Sequence, residues 1–185
     1  SMSGRLLIER LRIFVDQTRD AFIGHSTVAI AVTVLLYNTS DDPDLVLSWG
    51  AVTLLFAVIR FTIYKQFPKS LTDEVQARRW ATLFQIVTFV SGCTFGVLPV
   101  LFFEPDNFEI TAWIVMILCG LSGGAVSTLS AHVPAYRLYS VALLSPVVIV
   151  LLTYQRFDLG VLAGLFVFMF FFFDRFARRF QAMLI

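Results

Sequence analysis

Charge is scarce in this sequence. Asp, Glu, Lys and Arg make up 15% of its 185 residues, against about 25% in soluble domains. With 58% hydrophobic residues, twenty phenylalanines and a mean hydropathy of +0.81, a water-soluble globule is excluded and a membrane chain is indicated. Cysteine is nearly absent: Cys93 and Cys119 are the two present, and neither their number nor their spacing suits a zinc site or a secreted disulfide framework. Two thiols in apolar helices read as small packing residues, the alternative being a metal or redox pair. Histidine is equally rare, with His25 and His132 alone and no CxxCH haem-attachment motif. The first apolar run follows a charged stretch and has no small-residue cleavage site, so it reads as a retained span. Ser1 and Met2 read as a tag scar, which sets residues 1–3 outside the fold.

What is present is apolar sequence of membrane-crossing length. Near-uncharged stretches lie at about 21–37, 46–64, 80–103, 110–131, 137–154 and 159–173, each close to the ~17 to 25 residues that cross a bilayer as helix. The segments between them are rich in Pro, Asp, Asn or charge, as helix boundaries are. The fold class expected is all-α: a polytopic membrane protein with six transmembrane helices over 21–173, an N-terminal amphipathic helix over 4–20 and a C-terminal signalling helix beginning at 174.

Orientation follows from the sorting of charge. Of the 14 basic residues all but Arg156 fall on one face, which predicts N-in, C-in insertion. The opposite loops carry Asp41, Asp42, Asp44, Glu104, Asp106, Glu109 and Asp158. Tyr37, Trp49, Trp113 and Tyr154 fall near the outer boundary and Tyr64, Trp80, Tyr136 and Tyr139 near the inner one, where amphipathic rings prefer headgroup level.

At the N-terminus Arg5, Glu9, Arg12, Asp16 and Arg19 share one helical face and Leu7, Leu11 and Phe14 another. The expectation is a helix lying on the inner leaflet, the alternative being a solvated helix that packs on its own chain. At the other end Met169, Phe173, Phe176, Phe180 and Met183 recur at spacings of 4, 3, 4 and 3, an apolar seam of the kind that pairs parallel helices. The seam is still running at Ile185, which suggests a linker leading to a further domain.

GLSG at 120–123 places Ser122 in a GxSG tetrapeptide, which resembles that of rhomboid intramembrane proteases. The resemblance is confined to those four residues. His132 lies ten residues on, about 15 Å along a helix, and a nucleophile needs its base within about 3 Å. The sixth span holds no His, Asp, Lys or Glu. No catalytic residue and no metal site is therefore expected, and the fragment itself is not expected to be an enzyme.

The glycines have a packing use. Gly92 with Gly96, Gly120 with Gly124 and Gly160 with Gly164 form three GxxxG pairs, which let helix backbones approach closely. The first two pairs lie at similar depth, predicting that spans three and four touch there, with Ser122 bonded to a backbone carbonyl or to a neighbouring helix. Pro99 and Pro146 are expected to kink spans three and five. With Gly120, Ser122, Gly123 and Gly124 they are the candidate lining of a cavity for a small lipophilic ligand. Arg60, the deepest charge, is expected to snorkel to the inner face, leaving no charge at mid-membrane depth, against a transporter. His25 and His132 both lie toward the inner side, so axial haem ligation by the pair stands as an alternative reading, beside a transporter or channel.

The runs RRWATLFQIVTFVSGCTFGVLPVLFF, GLSGGAVSTLSAHVPAYRLYSVALLSPVVIVLL and DRFARRFQAML resemble the N-terminal multi-span sensor regions of bacterial signalling proteins. The shared features are a Trp opening one span with a Gly near its far end, a G-x-x-x-G-A stretch in the next, and a Pro about nine residues into the one after. Where relatives often have Trp-Gly, this chain has Phe95 and Gly96. The resemblance implies a multi-pass protein of the bacterial inner membrane. It further implies a homodimer that passes a ligand-induced change through its last helix to a GGDEF or EAL cyclic-di-GMP enzyme or a histidine kinase. The transmission residues would be Phe173, Phe176, Phe180 and Met183. Lipid is the expected surroundings, and nucleic acid is not an expected partner.

Overall fold

The computed structural model describes residues 2–184, with only the backbone of Met2. Ser1, assigned to the tag scar, and Ile185, where the seam is expected to be still running, lie outside the described residues. Those described form helices and turns without strands. In chain order they are α1 (Met2–Asp16), α2 (Thr18–Thr39), α3 (Pro43–Lys65), α4 (Glu74–Gly96), α5 (Leu98–Phe102), α6 (Phe108–Leu129), a 3-10 turn (Ser130–His132), α7 (Val133–Thr153) and α8 (Phe157–Met183).

Side-chain caps start three of these helices. Asp42 accepts from the Leu45 amide at 3.0 Å, with Pro43 in the first turn behind it. Asp73 accepts from the Val75 amide at 3.0 Å, and Asn107 from the Ile110 amide at 3.2 Å. Each satisfies an amide that the helix cannot. Thr18–Thr39, Pro43–Lys65, Glu74–Phe102 and Phe157–Met183 are long and apolar enough to cross a membrane, and so is the 46-residue stretch Phe108–Thr153. As one straight helix that stretch would run about 69 Å, twice the ~30 Å hydrocarbon core. It breaks at the 3-10 turn, where His132 leaves helical geometry at φ −128°, ψ 86°, and α6 and α7 pack against each other. The result is six long apolar helices, the architecture of a helical membrane protein.

The central helix is α7, which packs along α4, α8 and α6, while α2 pairs with α3. Ala135, Tyr139, Leu143 and Leu151 of α7 are fully enclosed. Gly92 and Gly96 make the α4–α7 contact possible. A methyl group on Gly92 would lie 2.6 Å from the Tyr139 carbonyl oxygen, and one on Gly96 would run into the Ala142 carbonyl. This corrects the expected contact between spans three and four: the α4 glycines receive span five. Gly120 and Gly124 have nothing within 4 Å of an added methyl, so they are not interface residues within the chain.

Three further expectations change. The amphipathic helix ends at Asp16, not at 20, and its apolar face packs on its own chain, the alternative to the inner-leaflet reading. Leu11 and Phe14 are buried, with the Phe14 ring 5.5 Å from Tyr64 and 5.6 Å from Phe84. Trp49, Tyr64, Tyr136 and Tyr139 are buried within the bundle and do not form boundary belts, because their polar tips find partners inside: Trp49 Nε1 donates to the Thr94 carbonyl at 2.7 Å and the Tyr64 hydroxyl pairs with Thr88 at 2.9 Å. Pro99 falls in the first turn of α5, after α4 ends at Gly96, whereas Pro146 sits inside an uninterrupted α7.

Phe14 of α1 lies 6.4 Å from His132, and Gln181 of α8 donates to the Ala131 carbonyl at 3.1 Å. Both terminal helices thus reach the α6–α7 turn. Arg156, in the turn between α7 and α8, bridges Asp106 and Asp158 at 2.9 and 2.8 Å.

Candidate functional site

Two polar assemblies interrupt this apolar bundle. The first lies between α2, α3 and α4. Arg60 is buried at 5% exposure, which corrects the expectation that it snorkels to the inner face. Its Nη1 donates to Ser91 Oγ at 2.7 Å and its guanidinium carbon stands 5.4 Å over the Tyr64 ring. Membrane-embedded charges are found facing the bundle interior for this reason: there they meet hydroxyls and rings instead of hydrocarbon.

His25 belongs to the same assembly. Its Nδ1 donates to the Ala21 carbonyl at 2.9 Å, since a carbonyl can only accept. In the neutral ring Nε2 is then an acceptor, and the Tyr139 hydroxyl donates to it at 2.9 Å. His132 is held otherwise: the Gln85 side-chain amide donates to its Nε2 at 3.0 Å. Nε2 of each histidine, the nitrogen an axial haem ligand would use, is thus bonded within the protein, and the two histidines are held by different partners. Beside His25 a cavity of about 10 Å³ opens among the polar side chains of Thr18, Thr53, Arg60, Ser91 and Thr94 and phenylalanine walls.

The second assembly joins α7 to α8. Arg137 Nε donates to Asp174 Oδ1 at 2.7 Å and its Nη2 to Oδ2 at 3.3 Å, while Arg178 approaches the same carboxylate at 3.2 Å. Asp174 is buried at 8% exposure, on the α8 stripe that includes Ala163, Phe166 and Ala177. Higher between the same two helices runs an apolar groove of about 280 Å³, lined among others by Leu144, Ser145, Val148, Phe166 and Phe170.

The predicted ligand residues are dispersed. Ser122 Oγ donates to the Leu118 carbonyl at 2.8 Å, the expected backbone bond. Pro99 is buried, and Gly120 and Gly124 are exposed. None of Pro99, Gly120, Ser122, Gly123, Gly124 and Pro146 lines the small cavity or the groove. The structure does bring Gly123 to Phe173: a methyl on the glycine would lie 4.0 Å from the ring. Within the predicted seam Phe173 and Phe180 are half-buried, while Phe176 and Met183 are exposed at 47% and 75%. Cys93 and Cys119 are both free thiols.

Sequence reasoning missed Arg60, Asp174 and Arg137 as site residues. For Arg60 the available signal was an ionisable residue within an apolar span; Arg137 and Asp174 stand at the ends of theirs, where charge is ordinary. Compared with family models, curated proteins and solved structures, the chain matches none.

Proposed function

We propose that this chain is a sensory input module of a bacterial signalling protein, a multi-pass inner-membrane protein with both ends in the cytoplasm. It acts as a homodimer in which a small lipophilic ligand biases the packing of α8 on α7. The change passes down α8 to a cytoplasmic output domain, either a cyclic-di-GMP enzyme or a histidine kinase. The orientation rests on the basic residues, of which Arg156 alone is on the acidic face.

The observation that carries this reading is the shape of α8. It is a single helix of 27 residues, about 40 Å long and so longer than the ~30 Å hydrocarbon core. Beyond Phe173 it carries Arg175, Arg178 and Arg179 yet keeps Phe176 and Met183 exposed. Exposed apolar residues at heptad spacing on a helix leaving the bilayer suit pairing with the same helix of a second copy. On its other face the bridge to Arg137 and the Gln181 bond tie α8 to the bundle. The groove between α7 and α8 is where a lipophile would alter that packing, by binding one arrangement better than the other.

Disulfide trapping in native membranes tests the reading. In a background lacking Cys93 and Cys119, Phe176→Cys and Met183→Cys are expected to give crosslinked dimers, and Arg175→Cys and Arg179→Cys are not. Equal crosslinking at all four positions, or none at any, contradicts the pairing.

A further inference from the structure

We propose that the cavity between α2, α3 and α4 is a binding site for a small monatomic anion of the halide class. Arg60 places a guanidinium there at 5% exposure, and among the described residues no carboxylate lies in ion-pair contact with it or lines the cavity. Nη1 is used by Ser91, but Nη2 is buried and has no partner. Thr53, on the same helix two turns earlier and 3% exposed, likewise has a buried Oγ1 without a partner. A buried donor left unbonded is costly, and a buried charge more so. Two of them lining one cavity indicate an occupant that satisfies both.

The chemistry of the lining selects the occupant. Nη2 and the Thr53 hydroxyl can donate, and Ser91 Oγ, which accepts from Arg60, keeps its own O–H to donate. Three backbone carbonyls beside the cavity are already engaged: the Ala21 carbonyl takes His25 Nδ1, the Ser91 carbonyl takes the Thr94 hydroxyl at 2.7 Å, and the Thr94 carbonyl takes Trp49. With a buried guanidinium that no carboxylate neutralises, the site suits an anion better than a water molecule, which would leave the charge uncompensated. An anion also neutralises the guanidinium where hydrocarbon surrounds it. At about 10 Å³ the space is water-sized, and a tetrahedral oxyanion such as sulfate or phosphate exceeds it far more than a monatomic halide does. This assignment stands independently of the signalling role.

The test is the melting midpoint of the purified protein, with chloride or bromide exchanged for gluconate at constant ionic strength. A ligand that binds only the folded state stabilises it in proportion to the logarithm of its concentration, so the midpoint is expected to climb about 3 °C per tenfold halide above the dissociation constant. Arg60→Met abolishes that dependence. Thr53→Val, which keeps the guanidinium and serves where Arg60→Met fails to fold, weakens the apparent affinity at least threefold. Identical midpoints in halide and gluconate overturn the proposal. So does stabilisation by oleate without any response to halide, which would make a lipid carboxylate the partner of Arg60.

Discussion

Arg137 and Asp174 join α7 to α8 through two hydrogen bonds on one carboxylate, at 2.7 and 3.3 Å. The two partners are unequally placed: the Arg137 side chain is 48% exposed and the Asp174 side chain 11%. That inequality predicts an asymmetry between single substitutions. Arg137→Ala leaves an enclosed carboxylate with Arg178 as its remaining cation, whereas Asp174→Asn leaves a cation that water can reach. Expected losses are about 1 to 2 kcal/mol for Arg137→Ala and under about 1 kcal/mol for Asp174→Asn. Denaturant or thermal unfolding in one detergent measures both. Equal losses would show that burial of Asp174 is not what gives the bridge its weight.

The α4–α7 contact gives a second comparison. Gly96→Ala drives a methyl group into the Ala142 carbonyl, and the enclosed helix behind that carbonyl has little room to retreat. The expected cost is about 1 to 3 kcal/mol. Gly124→Ala meets open space inside a helix and should leave stability unchanged or raise it by up to about 1 kcal/mol. Midpoints of the two variants against wild type decide it; a larger loss at Gly124 would place the tight contact on α6.

The engagement of both ring nitrogens of His25 predicts that the purified protein has no Soret band that depends on His25 or His132. Tyr139→Phe removes the donor to Nε2 and should cost about 1 to 3 kcal/mol through an unsatisfied buried nitrogen. A Soret band lost in His25→Ala or His132→Ala would restore the haem reading.

Much of the architecture was legible in the amino-acid order. Hydropathy alone marked the apolar helices, and the Pro-, Asp-, Asn- and charge-rich segments marked the boundaries between them. Which way each helix faces was not legible. On a transmembrane helix the side toward lipid and the side toward protein are both apolar, so no amphipathic stripe points inward. Gly92, Gly96, Gly120 and Gly124 therefore read alike, although only the α4 pair meets a neighbouring backbone. The stripe on α1 was visible, but Leu11 and Phe14 suit a leaflet as well as the rings of Tyr64 and Phe84. Arg60 was read by its nearness to the helix end, and the hydroxyls of Ser91 and Thr53 that define its surroundings come from residues with no sequence signal of their own.

Sidedness tests the central claim most directly. With Cys93 and Cys119 replaced by alanine, Asp106→Cys and Ala182→Cys are probed separately with a membrane-impermeant maleimide, in cells whose inner membrane is intact. The Asp106 position should react at once, and the Ala182 position only after that membrane is broken. Reaction at Ala182 from outside the intact inner membrane would contradict the account, because α8 could then reach no cytoplasmic partner.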